Sequence, residues 1–281
     1  MYKGRFAPSP TGPLHFGSLV AALASFLDAR FNQGTWQVRL DDIDPPRHDR
    51  SSFQAIPDCL EQHGLLWDND LILQSRRKEA HESCISELRR AGHIFTCICT
   101  RTTLGPLGQC QADCSEKQHE QGSIRLHLSD APAPNFTDLV LGPQIPTLMP
   151  KNFVMKRRDG LIAYQLATAV DDIDEGYTHI IRGSDLLDST FRQMAIHEAL
   201  GKLSPRYGHL PLVTDSLGNK LSKQAGAQAV DVARPVANLR LALDFLNQPS
   251  PPTTAKSLDD VLHFATEHWR LSQLSQLSQL S

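Results

Sequence analysis

The sequence predicts an α/β protein: a parallel sheet, a small inserted α+β lobe and a short helical C-terminal part. Three observations carry that expectation. Residues 3–41 read as strand, helix, strand, and a βαβ opening builds a parallel sheet through a right-handed crossover. Between residues 94 and 150 the pattern breaks into short strands separated by Gly, Pro and Asn. Beyond residue 225 only helical patterns remain, over 239–246 and 258–269, joined across Pro249-Ser-Pro-Pro252. The implied division is 1–93 for the first half of the sheet domain, 94–150 for the insertion, 151–224 for the second half and 225–281 for the C-terminal part.

Taken in order, residues 3–6 form an apolar strand that enters a turn holding Pro8, Pro10, Gly12 and Pro13. The Ala- and Leu-rich stretch 14–31 reads as a helix, and 36–41 as the next strand. Residues 51–63 read as a helix that Pro57 kinks or starts, and 78–91 as an amphipathic helix stopped by Gly92. Inside the insertion, 95–99, 123–128 and 136–141 read as strands; 153–157, 161–169 and 179–182 are expected to return the chain to the sheet. Residues 189–200 form a helix capped by Asp188 or Ser189 and ended by Gly201. The closing Leu-Ser-Gln repeat from Leu271 has a period of three, which drifts around a helix and makes no steady apolar face, so a frayed tail is expected.

With 281 residues, 40% hydrophobic and 21% charged, the chain has the size and balance of an ordinary globular protein with a substantial core. No stretch has the apolar length to cross a bilayer and no signal-peptide core follows Met1, so a cytosolic monomer with no membrane partner is expected. A net charge of −3 excludes a global electrostatic case for nucleic-acid binding and leaves only local basic clusters: Arg76-Arg77-Lys78, Arg89-Arg90 and Lys156-Arg157-Arg158.

The chemistry concentrates in two segments, Arg5-Phe-Ala-Pro-Ser-Pro-Thr-Gly-Pro-Leu-His15-Phe-Gly-Ser18 and Lys220-Leu-Ser-Lys223-Gln. A strand–turn–helix junction presents backbone N–H groups to a phosphate over the helix start. His15 and Ser18 add side-chain donors there, Gly17 allows a base or phosphate close to the backbone, and Lys220 and Lys223 offer cations to the same phosphates. Independently, Cys97-Ile-Cys99 with Cys110-x-x-x-Cys114 sets out four thiolates for one tetrahedral zinc. Cys59 and Cys84 fall within helical patterns and read as small buried hydrophobes. Arg39, Asp41, Asp42 and Asp44 crowd the carboxyl end of a strand, where an α/β sheet meets its ligands. Arg182 follows two apolar residues at another strand end and needs a partner. The other histidines show no metal spacing and read as surface or satisfied core residues.

His15-Phe-Gly-Ser18 resembles the HIGH signature, and Lys220-Leu-Ser-Lys-Gln224 the KMSKS signature, of class I aminoacyl-tRNA synthetases. The blocks RLDDIDPPR, DGLIAYQLATAVDD, IIRGSDLLDST and HLPLV, in this order over residues 3–224, resemble the glutamyl branch of that family. The resemblance implies a Rossmann-like catalytic domain that forms glutamyl-adenylate from L-glutamate and ATP with Mg²⁺. It makes His15 and Lys223 catalytic, places Gly17, Ser18 and Lys220 on ATP, and places Arg5, Ala7, Ser9, Asp41, Tyr164 and Arg182 on glutamate. Asp41 stands where the family usually has a glutamate for the substrate ammonium, one methylene longer. The resemblance also implies a structural zinc, with Cys110 in place of a usual tyrosine ligand. Only 57 residues, positions 225 to 281, follow Gln224, too few for the family's large anticodon-binding region. That matches a truncated branch that passes glutamate to the queuosine base of tRNA(Asp). Two other readings stay open here: a shortened glutamyl-tRNA synthetase charging a tRNA 3′ end, and a non-catalytic relic that holds tRNA or another partner.

Overall fold

The computed structural model describes residues 1–105, 108–117, 119–128, 134–148, 151–214 and 228–274. In chain order the elements are β1 (Lys3–Phe6), α1 (Phe16–Phe31), β2 (Thr35–Leu40), α2 (Ser52–Gln62), β3 (Ile72–Leu73), α3 (Lys78–Arg90), β4 (Ile94–Cys97) and β5 (Ser123–His127). They continue as β6 (Phe136–Asp138), β7 (Gly142–Gln144), β8 (Asn152–Lys156), α4 (Tyr164–Asp174), β9 (His179–Gly183), α5 (Leu187–Ala199), β10 (Arg206–Leu210), α6 (Pro235–Phe245) and α7 (Leu258–Glu267).

The expected parallel sheet is present. β1 pairs with β2, β2 with β3 and β9 with β10, all parallel. β9 lies beside β1, where the Thr178 N–H donates to the Lys3 carbonyl at 2.9 Å. The strands therefore run in space 10-9-1-2-3, and the chain order reverses between β1 and β9. A crevice opens at such a switch point, at the carboxyl ends of the strands, and ligands bind there.

β2 is buried on both faces from Trp36 to Leu40, as a central parallel strand should be. Gln37 and Arg39 interrupt its apolar run, and both find internal partners: Gln37 donates to the Asp70 carbonyl and Arg39 to carboxylates described below. The main core lies between this sheet, α1 and the C-terminal helices, with Leu19, Leu23, Leu27, Trp36, Leu239 and Val261 fully buried. A second core of Leu88, Leu126, Met155, Leu166 and Ile196 joins the insertion to α3, α4 and α5.

Several local expectations change. Residues 161–169 do not return to the sheet; from Tyr164 they form α4, whose buried face carries Leu166, Ala167 and Val170. Residues 152–156 do form a strand, but β8 pairs antiparallel with β5 in the sheet β4-β5-β8, so that sheet extends past residue 150. The β6–β7 hairpin, by contrast, leans on the parallel sheet, where the Leu139 N–H donates to the Tyr207 carbonyl at 2.8 Å. Helix α5 begins at Leu187 behind a 3₁₀ turn and has no side-chain cap from Asp188 or Ser189; it ends as expected at Gly201, in the left-handed region with φ +64°. Pro57 lies inside α2 rather than at its start. The first turn of the Leu-Ser-Gln repeat packs on the core, with Leu274 fully buried; residues 275–281 lie outside the described residues.

Candidate active site

A cavity of about 780 Å³ occupies the crevice at the ends of β1, β9 and β10. The turn after β1 contributes Ala7, Ser9 and Thr11, the start of α1 contributes His15, Gly17 and Ser18, and α4 contributes Tyr164. Arg182 and Asp185 close the β9 side, and Leu212 and Val213 follow β10. The structure thus brings Arg5, Ala7, Ser9, His15, Gly17, Ser18, Tyr164 and Arg182 to one cavity, although Tyr164 and Arg182 lie more than a hundred positions from the others. Lys220 and Lys223 fall outside the described residues.

His15 is the N-cap of α1, in extended conformation, and its Nδ1 accepts from the Ser18 N–H at 3.3 Å. Its Nε2 lies 3.0 Å from the Ser18 hydroxyl. A Cβ on Gly17 would sit 3.3 Å from the imidazole, so glycine leaves the ring its place. The positive end of a 16-residue helix dipole therefore borders the cavity, a setting suited to phosphate.

The two arginines behave differently. Arg5 gives Nε and Nη2 to Asp172 in a two-pronged pair, at 3.0 and 2.7 Å, and both side chains are almost fully buried. Arg39 adds a bond to Asp172 at 3.0 Å. Burial alone would raise the Asp172 pKa; Arg5 and Arg39 outweigh it and bring it to about 2. Arg182 instead meets neutral acceptors: the Thr190 hydroxyl at 2.6 Å, Gln193 Oε1 at 2.9 Å and His209 Nε2 at 3.3 Å. Its Nη1 is buried without a hydrogen-bond partner. The hydrogen-bond partners of Arg182 thus carry no charge, and its unpaired Nη1 beside the cavity suits a substrate carboxylate.

Asp41 does not line this cavity. Its carboxylate accepts from Arg39 Nε at 2.7 Å, and the pair is enclosed, with Arg39 at 0% and Asp41 at 3% side-chain exposure. Burial would lower the Arg39 pKa, but Asp41 and Asp172 overcome it and keep the guanidinium charged. Asp42 accepts from the N–H and hydroxyl of Ser75, both at 2.7 Å, and so joins β2 to the chain after β3. Sequence reasoning did not single out Asp172, Asp138, Thr190 or His209. Only the need of Arg182, a charge at a buried strand end, for a partner pointed toward such groups.

The four cysteines of the insertion meet, with sulfurs all within 4.8 Å of one another. Cys99 lies 3.6 Å from Cys110 and 3.9 Å from Cys114. Tetrahedral zinc with bonds of about 2.3 Å separates its sulfurs by about 3.8 Å, so this donor set fits zinc in number, element and spacing. Burial would raise the Cys110 thiol, but the N–H groups of Ala112 and Cys114 bring it down to about 7. Asn152 braces the loop: Oδ1 accepts from the Cys110 N–H at 2.8 Å and from Arg125 Nε at 2.7 Å.

Three residues of the basic clusters pair with carboxylates of the protein. Arg77 binds Asp171 and Asp174 at 2.7 and 2.6 Å, Lys156 binds Glu82 at 2.6 Å, and Arg157 binds Asp159 at 2.6 Å. Among the described residues, no helix is long and apolar enough to cross a membrane.

The family described as tRNA synthetases class I (E and Q), catalytic domain, matches residues 2–243, and the chain belongs to it. It is accordingly an enzyme of the ligase type, in the group that joins glutamate and tRNA. Among curated relatives, the glutamyl-Q tRNA(Asp) synthetase of Vibrio vulnificus (strain CMCP6) is 40% identical over 284 aligned positions, covering 100% of this chain and 93% of that protein. The protein of the same name from Cronobacter sakazakii (strain ATCC BAA-894) is 43% identical, covering 96% and 93%. Among solved structures, a glutamate tRNA ligase from Elizabethkingia meningosepticum superposes with a TM-score of 0.75 at 21% identity. That match covers 97% of this chain but 65% of the other, so the chain spans about two thirds of that ligase's length.

Proposed function

We propose that this chain activates L-glutamate with ATP in the absence of tRNA, then transfers the glutamyl group to the queuosine base at the wobble position of tRNA(Asp). One observation carries the activation step: Arg182, hydrogen-bonded to uncharged acceptors and with Nη1 unpaired, shares a cavity with the His15-capped start of α1. The first suits a carboxylate of the amino acid, the second the phosphates of ATP.

In this reading Arg5, Ala7, Ser9, Tyr164 and Arg182 seat glutamate, and His15, Gly17, Ser18 and Lys220 seat ATP. An α-carboxylate oxygen of glutamate attacks the α-phosphorus in line; the bond to the bridging oxygen breaks and pyrophosphate leaves. Nothing covalent forms on the enzyme, so catalysis is placement plus stabilisation of the charge that builds on the phosphate oxygens. His15 and Lys223 meet that charge. When bound with ATP, Mg²⁺ would screen the phosphates that the His15 end of α1 and Lys223 meet. Asp41, held by Arg39 and outside the cavity, acts on the substrate ammonium only through its field. Cys97, Cys99, Cys110 and Cys114 hold one zinc; four protein ligands leave no position for water, so its role is structural. The enzyme works as a monomer in the cytosol.

The acceptor is supported by the relatives named glutamyl-Q tRNA(Asp) synthetase, which this chain matches nearly end to end. The test is pyrophosphate exchange with glutamate and ATP alone, followed by transfer to tRNA(Asp) with and without queuosine. Exchange without tRNA and transfer only to the queuosine form are expected, and Lys223→Ala should abolish exchange in a folded protein. A strict need for tRNA(Glu), with charging of its 3′ end, would replace this reading with that of a shortened glutamyl-tRNA synthetase.

A further inference from the structure

His209 and Asp138 form a fully buried pair behind the cavity, where neither touches substrate space. Asp138 stands at the end of β6, and His209 sits on β10, facing Arg182 on β9 in register. The Asp138 Oδ1 accepts N–H groups from Val140 and Leu141 at 2.9 Å and from His209 at 3.1 Å, while Oδ2 lies 2.6 Å from His209 Nδ1.

The protonation follows from this geometry. Despite burial, the His209 ring and surrounding N–H groups hold the Asp138 pKa below its ordinary value, so Asp138 is an acceptor only. The proton in their short contact therefore belongs to His209 Nδ1. Burial lowers the His209 pKa, so the ring is neutral and Nε2 carries a lone pair. That lone pair faces the Arg182 Nε donor at 3.3 Å; the Thr190 hydroxyl, 2.9 Å away, also donates to the Leu186 carbonyl at 3.2 Å. A proton on Nε2 would turn the contact to Arg182 into donor against donor.

We propose that Asp138 and His209 are positioning residues for Arg182: Asp138 fixes the His209 tautomer, and the Nε2 acceptor so created orients the guanidinium so that its Nη1, without a partner in the protein, is left for a substrate carboxylate. The acceptors on Arg182, namely His209, Thr190 and Gln193, are all neutral, so they orient the cation without cancelling it. Asp172 does the opposite to Arg5. The β6–β7 hairpin, which lies in the insertion by sequence, thereby reaches the glutamate pocket. This inference rests on the reading that Arg182 binds glutamate.

The decisive variant is Asp138→Asn. Its amide can offer an N–H to Nδ1, which pushes the imidazole proton onto Nε2, against Arg182. In tRNA-free exchange the KM for glutamate should rise at least about tenfold while the KM for ATP stays within about twofold, as expected when one buried hydrogen bond becomes a donor clash. His209→Gln keeps an acceptor near Nε2 and should show a smaller rise. The double variant should be no worse than His209→Gln alone, because no tautomer remains to be misplaced. Long-range ¹H–¹⁵N NMR supplies a readout independent of activity. The His209 signal, assigned by its loss in His209→Gln, should show a protonated Nδ1 in the parent protein and a protonated Nε2 in Asp138→Asn. A protonated Nε2 in the parent protein would overturn the proposal, as would equal effects on both KM values or additive losses in the double variant. If Asp138→Asn fails to fold, the parent spectrum and His209→Gln still decide. Failure of the parent protein to exchange glutamate at all would defeat the functional reading, and the NMR result would stand apart from it.

Discussion

Arg5 and Arg182 end neighbouring strands and carry the same side chain, yet their surroundings give them different chemistry. Arg5 is neutralised by Asp172 at 2.7 Å, whereas Arg182 rests on neutral acceptors and keeps its charge for a ligand. The residue type was legible in sequence; the state of the charge was not, since it depends on α4 and α5. His197 offers a prediction at this scale. It is fully buried, with Nδ1 at 2.9 Å from the Ser204 hydroxyl and Nε2 at 3.2 Å from the Ala169 carbonyl. Burial lowers its pKa from 6.5 to about 4. Below pH 6.5 the unfolded chain therefore takes up a proton that the folded chain refuses until about pH 4. This contribution to stability is complete above pH 6.5 and falls as the pH drops toward 4. The slope approaches about 1.4 kcal/mol per pH unit at most. Melting curves at pH 7 and 5 should show the parent losing more stability than His197→Gln; parallel losses would refute the assignment.

At the scale of elements, local pattern succeeded where an element depends on itself. Helix α1 and the Gly201 stop follow from near neighbours. So does the cysteine cluster, whose ligands lie within eighteen consecutive positions. Pattern failed for residues 161–169, because a short apolar run fits a buried strand and a buried helix alike. Only packing of Leu166 against Leu126, Met155 and Ile196 in one core selects the helix. The zinc proposal is tested on the β4-β5-β8 sheet. Purified protein should contain close to one zinc per chain, a number set by one tetrahedral donor set. Chelation should then speed amide exchange in β4, β5 and β8 while β1, β2 and β9 stay protected. Zinc near zero in fresh protein, or uniform loss of protection, would count against a structural ion confined to this lobe.

Across the whole molecule, the C-terminal segment is fastened to the start of the sheet domain. Asp28 on α1 accepts from the Tyr2 hydroxyl at 2.5 Å and from the Trp269 indole at 2.9 Å, a contact that spans 241 positions. Trp269 is 1% exposed and shares the main core with Leu19, Leu23 and Leu239. Its replacement by alanine leaves a cavity and an unpaired acceptor, with an expected loss of about 3–5 kcal/mol. Urea unfolding followed through catalytic activity and circular dichroism would measure it, and a loss below about 1 kcal/mol would mean the segment is not part of the cooperative core.

The sequence by itself determined the βαβ opening, the helix stops at Gly92 and Gly201, the zinc-type cysteine set and the family blocks, because each rests on neighbours a few positions apart. Tertiary structure alone decided that Asp41 pairs with Arg39 rather than lining the cavity, that β8 joins the inserted sheet, and that Asp138 reaches His209 across 71 positions. Those outcomes depend on which buried charge finds which counter-charge or donor. Desolvation makes that choice severe inside the fold, and no local pattern encodes it.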